Sequence, residues 1–268
     1  MSPRKSYSII LASDIHCGDP RFDEHLISTA ISEINSIEPD LFVVAGDLTA
    51  KGYREEFEEA KHHIDLIDCD KKVVIAGNHD HRNVGWVFFE ELFGRRFKTV
   101  KYDFDLYCHE VYQDKLNLIA ADSSKPDLDE GEIGRQHYDW IKETFSDPND
   151  FKVFVLHHHL VSVPGTGRER NIVWDAGDVL EVLKDAEADL VLCGHRHVPY
   201  VWTLGKTIIV NSGTMATLRT RGYSRPAYMS LTVDHESISI STHVPGEGIV
   251  KKDDFLRSRI PPKKIMSA

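Results

Sequence analysis

An α/β fold is what this 268-residue sequence predicts, on three observations. Short apolar runs rich in Val, Ile and Leu recur along the chain and end abruptly in Gly, Asp, Asn or His, as buried strands do at a sharp turn. Stretches with apolar residues at helical spacing separate these runs. Between residues 98 and 121 the pattern changes to short alternating segments, which read as strands of a second sheet.

The elements follow in order. Residues 1–5 are a polar lead-in and 6–12 the first strand. Residues 21–37 carry Phe22, Leu26, Ile27, Ala30, Ile31 and Ile34 at helical spacing, and Glu38-Pro39-Asp40 stops that helix. Residues 41–45 form the second strand. An acidic amphipathic helix over 53–66 buries Phe57, Ala60 and Ile64, with His62 and His63 expected on its solvated face. The third strand is Val73-Val74-Ile75-Ala76. Residues 84–97, with Trp86, Phe88, Phe89, Phe93 and Phe97, read as a core helix or as one wall of a cleft. Asp122-Ser123-Ser124 closes the alternating segments and receives no chemistry. A polar loop over 124–135 leads to a helix over 133–145, then to the run Val153-Phe154-Val155-Leu156. A helix over 178–186 precedes Leu190-Val191-Leu192-Cys193, and residues 200–204 and 207–210 form a hairpin around Gly205-Lys206. Residues 227–233 and 237–242 are the final strand pair. Beyond Pro245, Lys, Pro and Ser predominate, so one domain is expected over 6–243 and a loosely held tail over 244–268.

Five strand ends share a chemistry. The first leads to Asp14 and His16, the second to Gly46-Asp47, the third to Gly77-Asn78-His79-Asp80, the fourth to His157-His158-His159 and the fifth to Gly194-His195-Arg196-His197. Open α/β sheets place their sites outside the carboxyl ends of strands. Asp, Asn and His are oxygen and imidazole donors suited to Mn, Fe, Zn, Co or Ni rather than to thiolate chemistry. A spacing of two lets Asp14 and His16 point to one side and chelate one ion, although Ser-Asp is also ordinary turn chemistry. Asp80, just after a turn, equally fits a helix cap.

The order Asp-x-His, Gly-Asp, Gly-Asn-His-Asp, His, Gly-His-x-His resembles that of the calcineurin-like metallophosphoesterases, over 6–242 and with no motif missing. Within that superfamily the looser likeness is to the cyclic-nucleotide and glycerophosphodiester phosphodiesterases. At average residue usage Gly-Asn-His-Asp alone arises by chance in on the order of one in a thousand chains this long. The resemblance implies the metallo-dependent phosphatase fold, a four-layer α/β/β/α sandwich with two mixed β-sheets. It also implies two divalent metal ions, one held by Asp14, His16, Asp47 and His197 and one by Asp47, Asn78, His157 and His195, with the Asp47 carboxylate bridging. His79 then binds no metal and serves the leaving-group oxygen, Asp80 is a candidate to orient it, and a metal-bridging hydroxide attacks phosphorus. Three consecutive imidazoles cannot all reach one ion, so His158 and His159 are left to back the ligands or face substrate. Leu160 stands where many relatives carry proline.

Composition narrows the function. A net charge of −11 argues against a nucleic-acid polymer as partner, since such surfaces hold phosphates with Lys and Arg. Cys17, Cys69, Cys108 and Cys193 show no Cys-x-x-Cys spacing, and neither a signal peptide nor a membrane-spanning apolar run is seen, so a cytoplasmic protein with reduced thiols is expected. Cys17 and Cys193 neighbour proposed ligands, as oxidation-sensitive thiols or as small buried hydrophobes. Arg168 and Arg170, in a flexible loop, fit a phosphate clamp or surface pairing with Glu169. Arg219, Arg221 and Arg225 form a further basic cluster. The leading expectation is a phosphodiesterase or phosphatase acting on a small phosphate ester, with a nuclease as runner-up and a non-catalytic scaffold third. Nothing sets the subunit number, and a homodimer is allowed.

Overall fold

The computed structural model describes residues 4–166 and 172–264. Its strands in chain order are β1 (Ser6–Ala12), β2 (Leu41–Ala45), β3 (Lys72–Ile75), β4 (Lys98–Tyr107), β5 (Val111–Ala120), β6 (Asp150–Val155), β7 (Leu190–Cys193), β8 (Tyr200–Leu204), β9 (Thr207–Asn211), β10 (Tyr228–Asp234), β11 (Ser237–Val244) and β12 (Gly248–Leu256). The helices are α1 (Glu24–Ile37), α2 (Arg54–Asp65), α3 (Gly85–Phe93), α4 (Tyr138–Thr144) and α5 (Ala176–Asp185). One sheet has the order β12-β11-β10-β1-β2-β3 and the other β4-β5-β6-β7-β9-β8. Both are mixed: β1, β2 and β3 are parallel while β10 pairs antiparallel with β1, and β5, β6, β7 and β9 are parallel between antiparallel edges.

Strand alternation explains the layers. Ile9, Leu11, Val43, Val73 and Ile75 point inward and meet Leu116, Leu118, Val153, Val155 and Leu192 of the opposite sheet. Their neighbours Ile10, Phe42, Val44 and Val74 point outward against Ile27 and Ile31 of α1, Phe57 and Ile64 of α2 and Phe89 of α3. Phe154, Leu156 and Val191 do the same against α4 and α5 through Ile141, Val179 and Leu183. The result is the four-layer α/β/β/α sandwich. Strands covered on both faces are apolar over most of their length, which is why the runs are continuous in sequence. Each fully buried large side chain contributes about 1.5–3 kcal/mol of transfer free energy.

Local chemistry sets the helix ends. Asp23 caps α1 by accepting from the backbone N–H of His25 at 2.9 Å and of Leu26 at 3.0 Å, and Glu38 closes it in the left-handed region just before Pro39. The aromatic helix is shorter than its composition predicts. Gly94, at φ 82°, ends α3, and Phe97 lies outside it, stacked on His137.

Two expectations are corrected. His63 does not sit on the solvated face of α2 but is buried against the Phe22 ring, because that face of the helix turns toward the loop after β1. Over 246–264 the stretch beyond Pro245 is not a loose tail: β12 pairs with β11 along its length. Arg257 after it forks onto the buried Asp114 carboxylate at 2.8 and 2.9 Å, and Arg259 reaches Asp189 at 2.6 Å. Composition hid this anchoring because it is made by charged residues, which read as surface until their partners are seen. Among the described residues no helix is long and apolar enough to cross a membrane.

Candidate metal centre

The carboxyl ends of β1, β2, β3, β6 and β7 converge at one edge of the sandwich. The loop after β1 lies beside the loop after β2, with the N–H of Asp14 donating to Gly46 at 2.9 Å, that of His16 to Asp47 at 3.0 Å and that of Cys17 to Leu48 at 2.9 Å. Asp14, His16, Asp47, His195 and His197 all adopt positive φ, between 53° and 73°. Such a conformation costs a non-glycine residue free energy and persists only where surrounding structure imposes it. Gly77 is required by proximity: a Cβ there would run into the Asp47 carboxylate.

Among the described residues Asp80 makes no hydrogen bond to His79. Its buried carboxylate accepts from the N–H of Gly77 (2.8 Å), Leu48 (3.1 Å) and Thr49 (2.9 Å) and from the Thr49 hydroxyl (2.7 Å), so it pins the β3 loop to the β2 loop. Those donors sit on backbone that no sequence pattern marks. Burial, then the Asp47 charge, pushes its carboxyl up to about 7. His79 is held instead through Nδ1, 2.7 Å from the Ala50 carbonyl, with Arg82 Nη1 alongside at 3.1 Å.

The proposed ligands form two groups. In one, His16 Nε2 lies 3.1 Å from His197 Nε2, 3.8 Å from Asp14 Oδ1 and 3.7 Å from Asp47 Oδ2, and His197 Nε2 lies 3.1 Å from Asp14 Oδ1. In the other, His157 Nε2 lies 3.3 Å from Asp47 Oδ2 and 3.2 Å from Asn78 Oδ1, while His195 Nδ1 is 3.1 Å from Asn78 Oδ1 and 3.2 Å from His157 Nε2. Ligands bound at about 2.1 Å stand roughly 3.0–3.4 Å from one another at right or tetrahedral angles; the second group and the two His197 distances of the first fall in that window, while His16 stands wider of the two carboxylates, at 3.8 and 3.7 Å. Asp47 Oδ2 belongs to both. His16 Nδ1, His195 Nε2 and Asp14 Oδ1 are buried without a hydrogen bond. His79 also falls within 4.8 Å of the His16 and Asp47 donor atoms.

Neighbouring groups aim the donors. His157 gives its Nδ1 hydrogen to the Ala45 carbonyl at 2.7 Å, and His197 gives its own to the Arg219 carbonyl, leaving Nε2 of each for a cation. The Asn78 amide donates to Asp129 at 3.3 Å, which turns its oxygen toward His157 and His195. Burial pushes His16 down to about 3 and His195 well below its ordinary value, so both offer lone pairs. For Asp14 and Asp47 burial opposes ionisation, yet His197 facing the first and His157 and His79 facing the second hold both below the usual carboxylate range. Burial also lowers His157, but the Asp47 charge outweighs it and lifts the imidazole to about 9.

The remaining candidates divide. His158 and His159 are fully buried, and His158 bonds the Ser123 hydroxyl at 2.8 Å and the Asp129 carbonyl at 3.1 Å, so they back the centre rather than face the cleft. Arg168 and Arg170 lie outside the described residues. Cys17 and Cys193 are buried, and burial pushes both thiols up, away from the reactive thiolate. The basic cluster splits, since Arg219 and Arg221 line the cleft while Arg225 pairs with Glu247 at 2.5 Å.

That cleft, of about 270 Å³, is also walled by Arg21, Arg82 and Asp129, with Arg82 Nη2 2.9 Å from Asp129. Sequence reasoning missed these three residues because they sit in no motif. Arg82 alone carried a signal, lying three residues after His79.

Comparison with known proteins agrees with this geometry. A family model described as calcineurin-like phosphoesterase matches residues 7–199. The chain is 26% identical over 171 residues to a probable cyclic nucleotide phosphodiesterase of Synechococcus sp., covering 63% of this chain and 62% of that one. It therefore spans less than two thirds of that relative's length. It is 24% identical over 243 residues to a probable glycerophosphodiester phosphodiesterase GpdQ of Arcobacter nitrofigilis, covering 84% and 82% respectively. In three dimensions it resembles the purple acid phosphatase PPD1 of yellow lupin seeds with a TM-score of 0.68, 12% identity and coverage of 99% of this chain and 58% of that one, a likeness of fold. The family match covers most of the chain and takes in all five strand ends that converge on the two donor groups, and on that ground the chain belongs to the calcineurin-like phosphoesterase family.

Proposed function

We propose that the protein is a dinuclear, divalent-metal-dependent phosphoesterase hydrolysing a small phosphate ester, with diesters preferred to monoesters. The observation that carries the reading is Asp47 Oδ2, one oxygen common to two groups of imidazole, amide and carboxylate donors. The diester preference rests on the printed names of the relatives, cyclic nucleotide and glycerophosphodiester phosphodiesterases. Divalent cations held by Asp14, His16, Asp47 and His197 and by Asp47, Asn78, His157 and His195 would supply neutralisation of phosphate oxygens and activation of water near neutral pH.

The chain's own residues do the rest. The Ala50 carbonyl can only accept, so His79 carries its hydrogen on Nδ1 and keeps Nε2 for the reacting ester. Burial, with Asp47 opposing it, lowers His79, which is therefore neutral before substrate arrives. An arriving phosphate anion favours the imidazolium, which then serves the departing alkoxide as acid. Arg21, Arg82, Arg219 and Arg221 place guanidinium donors around the cleft, matched to phosphate oxygens. The small cleft and the net charge of −11 speak against a polymeric nucleic-acid substrate.

The test is turnover by purified, metal-analysed protein with Mn²⁺ on bis-p-nitrophenyl phosphate, p-nitrophenyl phosphate and cyclic nucleotides. Diester hydrolysis with two ions bound per chain, abolished by chelation and restored by Mn²⁺, is the expected result. Protein holding two ions yet inert toward every ester would overturn the reading.

A further inference from the structure

Beneath the loop after β1, on the α2 side, lies another group of side chains able to hold a metal ion, distinct from the two donor groups described above. It comprises Cys17, Glu59 and His63, whose ligand atoms all lie within 4.8 Å of one another. Glu59 and His63 are one turn apart on α2, so their side chains leave the same face of the helix. Cys17 comes from the opposite side, in the loop that carries Asp14 and His16, and its side chain is fully buried. Among the described residues the Cys17 sulfur makes no hydrogen bond. Glu24 Oε2, from α1, stands 3.9 Å from His63 Nε2.

The charges around this point are unbalanced. Glu24, Glu56 and Glu59 crowd it, and the Glu56 carboxylate lies over Gly18. Among the described residues no Lys or Arg forms an ion pair with Glu24 or Glu59. Burial, followed by the charges of Glu24 and Glu56, pushes the Glu59 carboxyl above its ordinary value. A divalent cation would relieve this crowding, and the donor types say which kind. One sulfur, one imidazole nitrogen and one carboxylate oxygen form a three-donor set, with the Glu24 carboxylate beside the imidazole, suited to Zn²⁺ or Co²⁺ and poorly suited to Mg²⁺, Ca²⁺ or Mn²⁺.

We infer that Cys17, Glu59 and His63 form a third cation site, selective for Zn²⁺-like ions, that clamps α2 to the loop bearing Asp14 and His16. On binding, the thiol proton leaves to solvent and the sulfur takes the cation, so the site gains one positive charge overall. The clamp bears on the ligand loop directly, because the Cys17 N–H donates to Leu48 and its carbonyl accepts from Ala50, both at 2.9 Å. The inference stands apart from the phosphoesterase reading, since neither needs the other.

Thiolate makes the site spectroscopically distinct. The dinuclear centre contains only nitrogen and oxygen donors, so a near-ultraviolet thiolate-to-cobalt charge-transfer absorption can come only from a cysteine. Full-length protein saturated with Mn²⁺ is titrated with Co²⁺ under reducing conditions. The wild type is expected to develop the charge-transfer absorption and Cys17→Ser to lack it. Loss of a partner behind a metal ligand alone weakens binding by about 10- to 100-fold, so His63→Ala and Glu59→Gln, each deleting a direct ligand, should weaken the Co²⁺ response by at least tenfold. His63→Ala should keep its rate on bis-p-nitrophenyl phosphate in Mn²⁺. A wild type without the absorption, a Cys17→Ser protein that retains it, or a His63→Ala protein with undiminished Co²⁺ affinity would each overturn the inference. His63→Ala leaves the Cys17 loop itself unaltered, so its Co²⁺ affinity decides the inference if Cys17→Ser does not fold.

Discussion

The Asp80 carboxylate lies 2.7 Å from the Thr49 hydroxyl, and through that bond and three backbone N–H groups it joins the loop carrying Asn78 and His79 to the loop carrying Asp47. Hydrogen bonds to a charged group contribute about 1.5–3 kcal/mol each, and buried donors left without a partner cost about 1–3 kcal/mol.

Asp80→Ala is therefore expected to destabilise the fold by roughly 3 kcal/mol or more and to loosen both donor groups at once. Asp80→Asn keeps the volume but turns an NH₂ toward N–H donors, so it should lower metal affinity more than stability. Urea unfolding and metal titration of the two variants check this. Wild-type metal affinity in Asp80→Asn would mean that the loops hold their positions without the carboxylate.

Asp47 and His79 should separate binding from chemistry. Asp47 Oδ2 is common to both groups, so Asp47→Ala should lose bound metal and turnover together. His79 is fastened by the Ala50 carbonyl rather than by another donor, so His79→Ala should keep its metal. Its rate should fall by about 10²- to 10⁴-fold, the range for loss of a general acid, and most for esters with poor leaving groups. Metal analysis beside kinetics on alkyl and nitrophenyl esters distinguishes the two. Metal loss in His79→Ala would make it a ligand.

The strand ends were legible in the sequence because each motif follows an apolar run, and a run buried on both faces admits few other readings. Asp14, His16, Asp47, Asn78, His157, His195 and His197 all come together at that edge of the sandwich. What aims them was not legible. The Ala45, Ala50 and Arg219 carbonyls do so through backbone atoms that every residue possesses. Arg21 and Asp129 reach the cleft by tertiary folding alone. His63 was misplaced for a related reason, since position on an amphipathic helix gives the direction of a side chain but not what packs over it.

Acid should act on Asp122. Burial opposes its ionisation, but the hydrogen bond from the buried His81 at 2.8 Å, then the Ser124 N–H and Arg96, outweigh burial and hold it below the usual carboxylate range. A carboxyl with a folded pKa below its unfolded value of about 3.9 contributes stability that is complete above that value and lost as pH falls through the folded pKa. Thermal unfolding of the wild type should thus steepen its pH dependence below about pH 4, and Asp122→Asn should flatten that part of the curve. At neutral pH Asp122→Ala should cost about 3–5 kcal/mol, as removal of one partner from a buried pair does. Equal acid sensitivity in wild type and Asp122→Asn would assign the acid loss to other carboxylates.

The split of the basic cluster gives the sharpest test of substrate contact. Arg221 lines the cleft, whereas Arg225 is turned away onto Glu247. Arg219 sits between these roles: its carbonyl holds His197 and its guanidinium faces the cleft, 3.7 Å from Asp19. A guanidinium meeting a phosphate oxygen is a charged hydrogen bond, and losing it costs about 1.5–3 kcal/mol of binding, or about 10- to 100-fold in KM where binding precedes slow chemistry. Arg221→Ala should therefore raise KM for bis-p-nitrophenyl phosphate with little change in kcat. Arg219→Ala retains the carbonyl, so it should do the same and keep its metal. Arg225→Ala should leave both constants alone, because its exposed ion pair contributes little to anything else. Equal effects at Arg221 and Arg225 would mean that the arginines act through general charge, which 0.5 M salt would then screen, and not by gripping the ester.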